Sequence, residues 1–258
     1  MEKRFFQAVG NGDVKEVEEI LRSNPGARIN GKNDRWNGRT ALTKACENDH
    51  DSVVSILLAH PDIDVNLKTR NGSTPFLRAC STCSTKCVRL LLKDSRVLVN
   101  EPDKDGSTPL WKMAANGYVD GIRWWIASGR EMNLGEPGDD NSDALFIATL
   151  LEEAEVKSLL ERFQKNKEKT RRVVRVEIGW YNEKVGDVFA LVVFASDGLL
   201  QVSQRSRAVN PAARFFAIAT QLPLELQMVL CFRAVGSAKD IIPGLVSEEA
   251  FRDLASSI

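Results

Sequence analysis

The chain has 258 residues with 35 basic and 35 acidic side chains, so its formal net charge is zero. A hydrophobic share of 43% against 27% charged residues belongs to a folded globular protein rather than a disordered one. Neutrality also argues against a chain built to coat nucleic acid or an anionic membrane. The best apolar run, residues 188–195, falls far short of the ~18–20 residues that span a bilayer. The start, Glu2-Lys3-Arg4-Phe5-Phe6, leads into polar sequence, unlike a secretory signal. Five cysteines, an odd number, favour free thiols in a reducing compartment. Together these features predict an intracellular, cytoplasmic chain.

From the N-terminus, three windows align on a Gly-x-Thr core: Gly38-Arg39-Thr40-Ala41-Leu42, Gly72-Ser73-Thr74-Pro75-Phe76 and Gly106-Ser107-Thr108-Pro109-Leu110. Their glycines stand 34 residues apart in both intervals. A small pair follows each core (Ala45-Cys46, Ala79-Cys80, Met113-Ala114). An apolar cluster comes next: Val53-Val54 with Ile56-Leu57-Leu58, Cys87-Val88 with Leu90-Leu91-Leu92, and Ile122 with Trp124-Trp125-Ile126. Asn66, Asn100 and Asn133 close the units. Glycine supplies the positive φ of a tight turn, and threonine at a helix entry caps free N–H groups. Proline just inside the helix start removes an N–H that has no intrahelical partner. The small pair lets a second helix approach, and that helix's apolar stripe is too large for one unit to bury. Neighbouring units must therefore stack.

Spacing, glycine, threonine, small pair and apolar run together resemble the ankyrin repeat family. Residues 5–13 with Val17, Ile20 and Leu21 resemble an N-terminal capping repeat, and Asp143-Ala144-Leu145-Phe146-Ile147-Ala148 with Val156 and Leu159-Leu160 a degenerate last one. The resemblance implies an all-α repeat solenoid of roughly five repeats over residues 1–163. Thr43, Leu77 and Trp111 replace the family's histidine, and Cys83 replaces the glycine of one inter-helix turn, so a slightly irregular stack is expected. Residues 135–142, rich in Gly, Pro and Asp, predict an extended hairpin or loop.

Residues 164–258 predict a separate α-helical domain. Val174, Ile178, Tyr181, Val185, Val188, Val192, Ala195, Leu199 and Val202 form a helical seam of alternating four and three, with breaks allowed at Gly179, Gly186 and Gly198. Further helices are expected over 210–220, over 223–235 and from Ser247, with a turn at 241–244. The two segments balance at −3 for 1–163 and +3 for 164–258. The basic run from Lys165 to Arg175 has the pattern of a nuclear import signal and equally that of a solvated helix start, which is preferred. Leu222-Pro223-Leu224-Glu225-Leu226 onward weakly resembles an F-box, which implies as an alternative role a substrate adaptor of a cullin-type ubiquitin ligase. The tryptophan expected near that motif's end is missing, and Pro223 is explained by helix initiation.

No motif for nucleophilic, phosphate-loop or paired-carboxylate chemistry appears, so no catalytic residue and no cofactor is assigned. Cys80, Cys83 and Cys87 have short metal-like spacing, yet they occupy repeat positions normally held by small or apolar residues, and filler is the preferred reading. His50 falls at an inter-helix turn, a structural place. The resemblance puts a partner protein on the concave face, at the hairpin tips and after the small pair. Carried over by position, this face comprises Trp36, Asn37, Arg39, Glu47 and Asn48 in the second repeat. The third gives Lys68, Arg70, Asn71, Ser73, Ser81 and Thr82, and the fourth Lys104, Asp105, Ser107, Ala115 and Asn116. Trp36 stands in a polar tip and reads either as an interface anchor or as packing across its own hairpin.

Overall fold

The computed structural model describes residues 2–23, 29–136 and 140–181, with isolated positions at 188, 191–192, 219, 227, 230 and 231. Each Gly-x-Thr core opens a capped helix. Thr40, Thr74 and Thr108 hold extended backbone. Their side-chain oxygens accept the N–H groups of Thr43, Leu77 and Trp111 at 3.2, 3.1 and 3.1 Å. Each cap satisfies a donor that the helix start leaves without an intrahelical partner. Pro75 and Pro109 stand at their helix starts, where a missing N–H costs nothing.

The helices follow in pairs: α1 (Glu2–Asn11) with α2 (Val14–Ser23), α3 (Ala41–Glu47) with α4 (Asp51–Ala59), and α5 (Pro75–Ser81) with α6 (Thr85–Lys93). α7 (Pro109–Ala115) then pairs with α8 (Val119–Ser128), and α9 (Ala144–Leu150) with α10 (Ala154–Lys165). First members stack in one layer, from α1 on α3 to α7 on α9. Second members stack in another, from α2 on α4 to α8 on α10. The small residues Ala45, Cys46, Ala79, Cys80 and Ala114 are buried where the layers meet, with Met113 beside them. The second-layer stripes bury Val53, Val54 and Leu57, then Val88 and Leu91, then Ile122, Trp125 and Ile126. Each large side chain removed from water contributes about 1.5–3 kcal/mol, and each is covered only with help from the next pair.

Every pair turns through one residue in the left-handed region: Gly12, Asp49, Cys83, Gly117 and Glu152, with φ of +73°, +53°, +56°, +60° and +60°. Cys83 takes the place of a glycine at its turn. It adopts the same left-handed backbone as Gly12 and Gly117, an unfavourable φ for a residue with a side chain. Between units, asparagines act as clamps. Asn30, Asn66 and Asn100 donate to the carbonyls of Asp62, Arg96 and Glu131 at 2.7, 2.8 and 3.1 Å. The same side chains accept from the N–H groups of Asp64, Leu98 and Asn133 at 2.9, 2.9 and 3.1 Å. The hairpin tips are stitched by backbone: Arg70 N–H donates to Asn37 O and Lys104 N–H to Asn71 O, both at 3.0 Å.

α10 ends as Asn166 turns extended, and the Asn166 Oδ1 then caps α11 (Lys167–Glu177) by accepting from Lys169 N–H at 2.9 Å. Thr170 Oγ1 donates to Arg162 O, Arg171 Nε donates to Ile126 O, and Val174 is buried. Much of the basic run thus lies on a capped helix that its own residues help to dock. The chain divides into two compact units, Met1–Val174 and Arg175–Ile258. The seam from Val174 is interrupted at the first of its allowed breaks: α11 stops at Glu177, and Gly179 takes φ +69°. Arg175 lies over the Trp180 ring at 5.5 Å. Most of residues 182–258 lie outside the described residues, including the later seam, the helices expected from 210 and from 247, and the F-box-like segment 222–258. Within that stretch Val188, Leu191, Val192, Ala219, Gln227, Leu230 and Cys231 are helical. Within the segment 135–142, of which 137–139 lie outside the described residues, Gly135 takes φ +93° and Glu136 N–H donates to Ser142 Oγ at 3.1 Å. Among the described residues no helix is long and apolar enough to cross a membrane.

Candidate binding face

The first-layer helices put equivalent residues in columns. Four positions after each capping threonine stand Lys44, Arg78 and Lys112, three cations at 34-residue spacing. Three residues after Lys44 comes Glu47, and it gathers the surrounding cations. Its carboxylate meets Arg39 at 3.2 Å, Lys44 at 3.2 Å and Arg78, from the next unit, at 2.5 Å. Burial alone would disfavour its charge, but hydrogen bonds from Lys44 and Arg78, with Arg39 nearby, hold the carboxyl below its ordinary range. One carboxylate shared by three cations leaves this part of the face positive. At the next unit Lys112 lies 3.6 Å from Asp103 and over the Trp111 ring at 4.8 Å.

Trp36 fits neither of its two sequence readings alone. It ends a single 3-10 turn, Asp34–Trp36, and leans onto α1 rather than across its own hairpin. Its ring meets Phe6 edge-on at 5.7 Å, and the Lys44 ammonium stands 5.7 Å from its centre. The ring also lines a cleft of about 410 Å³ together with Gly10, Asn11 and Lys44. Asn48 Nδ2 and His50 Nε2 both donate to Gly10 O, at 2.8 and 3.1 Å, so His50 has the turn-binding role its position implied.

The other expected contact residues divide by accessibility. Arg70 and Lys104 stand out on the tips, Arg70 paired with Asp34 at 2.7 Å. Lys68 reaches forward to Glu101 at 2.8 Å and to Pro102 O at 3.3 Å. Asn37 is half-buried, while Asn71 and Asp105 are exposed. Ser81 Oγ donates to Leu77 O and Thr82 Oγ1 to Arg78 O. Asn116 donates to Ser81 O at 3.0 Å, and Ala115 is half-buried. Ser73 and Ser107 stand apart from these exposed positions. They are only 7% and 4% exposed, because their turns fold inward around hydrogen bonds from their N–H groups to Thr69 Oγ1 and Asp103 Oδ1. They shape the tips from within.

Cys46, Cys80 and Cys87 are buried and Cys83 is exposed, all as free thiols. Burial pushes the Cys80 thiol well up, and a hydrogen bond with Cys46 together with burial does the same for Cys87. Such thiols stay protonated and pack as small apolar groups. Among the described residues no group of three or more His, Cys, Asp or Glu is placed to hold a metal ion.

Sequence reasoning missed Lys44, Arg78 and Lys112, although their fixed spacing was a signal in the aligned windows. It also missed the α1 residues across from Trp36, which no local pattern announces.

Capped helix pairs, left-handed turns and stitched tips define a helical repeat protein that displays a face of ordered polar side chains. Residues 5–101 match the family model of ankyrin repeats (3 copies), so over this segment the chain is built of ankyrin repeats. The pairs α7/α8 and α9/α10 lie wholly beyond that match. No curated protein matches the chain. Ankyrin repeats are in general modules of protein–protein interaction and typically carry no enzymatic activity.

Proposed function

We propose that the chain binds a partner protein through the inner face of a five-repeat ankyrin stack, by recognition without catalysis. The observation that carries this reading is the pre-ordering of the face. Glu47 fixes Arg39, Lys44 and Arg78, and backbone bonds fix the tips that bear Arg70 and Lys104. Side chains already held in place lose little entropy on binding, so their contacts translate into affinity. Five free cysteines support a reducing, intracellular setting.

The test is capture of partners by the full chain and by a variant carrying Trp36→Ala, Arg70→Ala and Lys104→Ala together. The variant should keep its helical signal and cooperative unfolding while losing most of its specific partners. Unchanged capture by a correctly folded variant would remove the inner face from consideration.

A further inference from the structure

We propose that the cleft beside Trp36 is the anchor point of this face and receives an acidic segment of the partner. A carboxylate of that segment sits among Lys3, Lys44 and the edge of the indole. The inference rests on the inner-face reading and adds the chemistry of the occupant.

Three observations carry it. First, the cleft is a formed hollow of about 410 Å³, large enough for a side chain with its flanking backbone. Among the described residues its charged lining consists of Lys3 and Lys44, and Gln7 and Asn11 add carboxamide donors. Among the described residues nothing anionic lines it. A carboxylate entering there meets two cations and several N–H groups, whereas a cation would meet repulsion.

Second, Gly10 keeps the floor open. Glycine inside a helix costs ~0.5–1 kcal/mol relative to alanine, and Gly10 has no positive φ to explain its presence. A Cβ built there would lie 3.8 Å from Trp36 Cη2 and 3.9 Å from Lys44 Cε, so alanine fits, and a longer side chain would occupy the hollow itself.

Third, the positive charge extends beyond the cleft. Arg39, Lys44 and Arg78 share the single carboxylate of Glu47. An extended peptide leaving the cleft toward α5 therefore continues over positive surface. A nucleic-acid strand is the less favoured polyanion, because residues 1–163 carry a net charge of −3 and would repel it away from this patch.

The experiment is a selection from a random peptide library displayed on phage, using the full chain as bait. Recovered peptides are then measured against three forms: wild type, the Lys3→Gln/Lys44→Gln double variant, and Gly10→Leu. We expect peptides rich in Asp and Glu. Their affinity should fall about tenfold in the double variant, with a similar loss in Gly10→Leu, and should weaken as salt rises. Circular dichroism confirms folding, and if Gly10→Leu fails to fold the double variant decides the question alone. Neutral or basic peptides, or no peptides, would overturn the proposal. Acidic peptides indifferent to both cleft variants but weakened by Trp111→Ala or Arg70→Ala would overturn the cleft and leave the inner face standing. Indifference to all four variants would defeat both readings. An oligothymidylate that binds more tightly than the peptides, and is displaced from wild type by none of them, would assign the patch to nucleic acid and overturn the proposal.

Discussion

Asn66 holds Leu98 in place across the repeat boundary: the Asn66 Oδ1 accepts the Leu98 N–H at 2.9 Å while its Nδ2 donates to Arg96 O at 2.8 Å. The same two-handed clamp recurs at Asn30 and Asn100. It fixes the loop of one unit to that of the next, independently of the apolar core. Each such hydrogen bond contributes roughly 0.5–1.5 kcal/mol net. Asn66→Ala should therefore lower the unfolding free energy by about 1–3 kcal/mol in a urea titration. Asn66→Asp, which keeps the acceptor and loses the donor, should fall between. A stability change below the error of the titration for Asn66→Ala would mean that the clamp is incidental.

The tip glycines are not equivalent. Gly72 and Gly106 both have positive φ, +79° and +81°. A Cβ on Gly72 would lie 2.9 Å from the Lys104 backbone nitrogen, the group that donates to Asn71 O. A Cβ on Gly106 would find its nearest neighbour, Asn141 Cβ, at 3.4 Å. Both alanine variants bear the left-handed penalty of about 1–2 kcal/mol, and only Gly72→Ala must also push a backbone strand aside. Thermal unfolding should rank Gly72→Ala clearly below Gly106→Ala, and the reverse order would contradict the stitched-tip account.

Cys83 offers a stabilising substitution. It sits at φ +56° and is exposed, so its side chain returns little packing for an unfavourable backbone. Glycine relieves about 1–2 kcal/mol of left-handed cost and gives back about 0.5–1 kcal/mol through the freer unfolded chain. Cys83→Gly should raise stability by up to about 1 kcal/mol. A lower melting temperature would show that Cys83 makes contacts that outweigh its strain.

The Glu47 cluster gives the face a pH response. The folded carboxyl titrates below its unfolded value, because the hydrogen bonds from Lys44 and Arg78 outweigh its burial. Its contribution to stability is therefore fully present above the ordinary carboxylate range and is lost as pH falls through the lowered folded value. Unfolding free energies measured from neutral pH downward should decline less steeply for Glu47→Gln than for wild type. Parallel curves would mean that Glu47 is not coupled to folding.

Much of the repeat architecture was legible because it rests on local rules. Gly38, Gly72 and Gly106 mark the tips, and Thr40, Thr74 and Thr108 mark the caps. The small pairs mark the layer contact. The burial of Ser73 and Ser107 was not legible, because position in a repeat does not reveal which way a tip side chain turns once Thr69 and Asp103 take its backbone N–H. The cleft was illegible for a different reason. Lys3, Gln7 and Gly10 meet Trp36 only when α1 stacks on α3, and no spacing along the chain encodes that approach. The seam from Val174 is interrupted at Gly179, a break that the glycine made legible, and α11 ends at Glu177.

The central claim is that a partner protein is held on the inner face of the repeat stack. Hydrogen–deuterium exchange of the full chain, alone and bound to a captured partner, tests it most directly. The account predicts slowed exchange at the tips around Trp36, Arg70 and Lys104 and along α3, α5 and α7, with α4, α6 and α8 unchanged. Protection confined to α4, α6 and α8, with the tips unaffected, would contradict it.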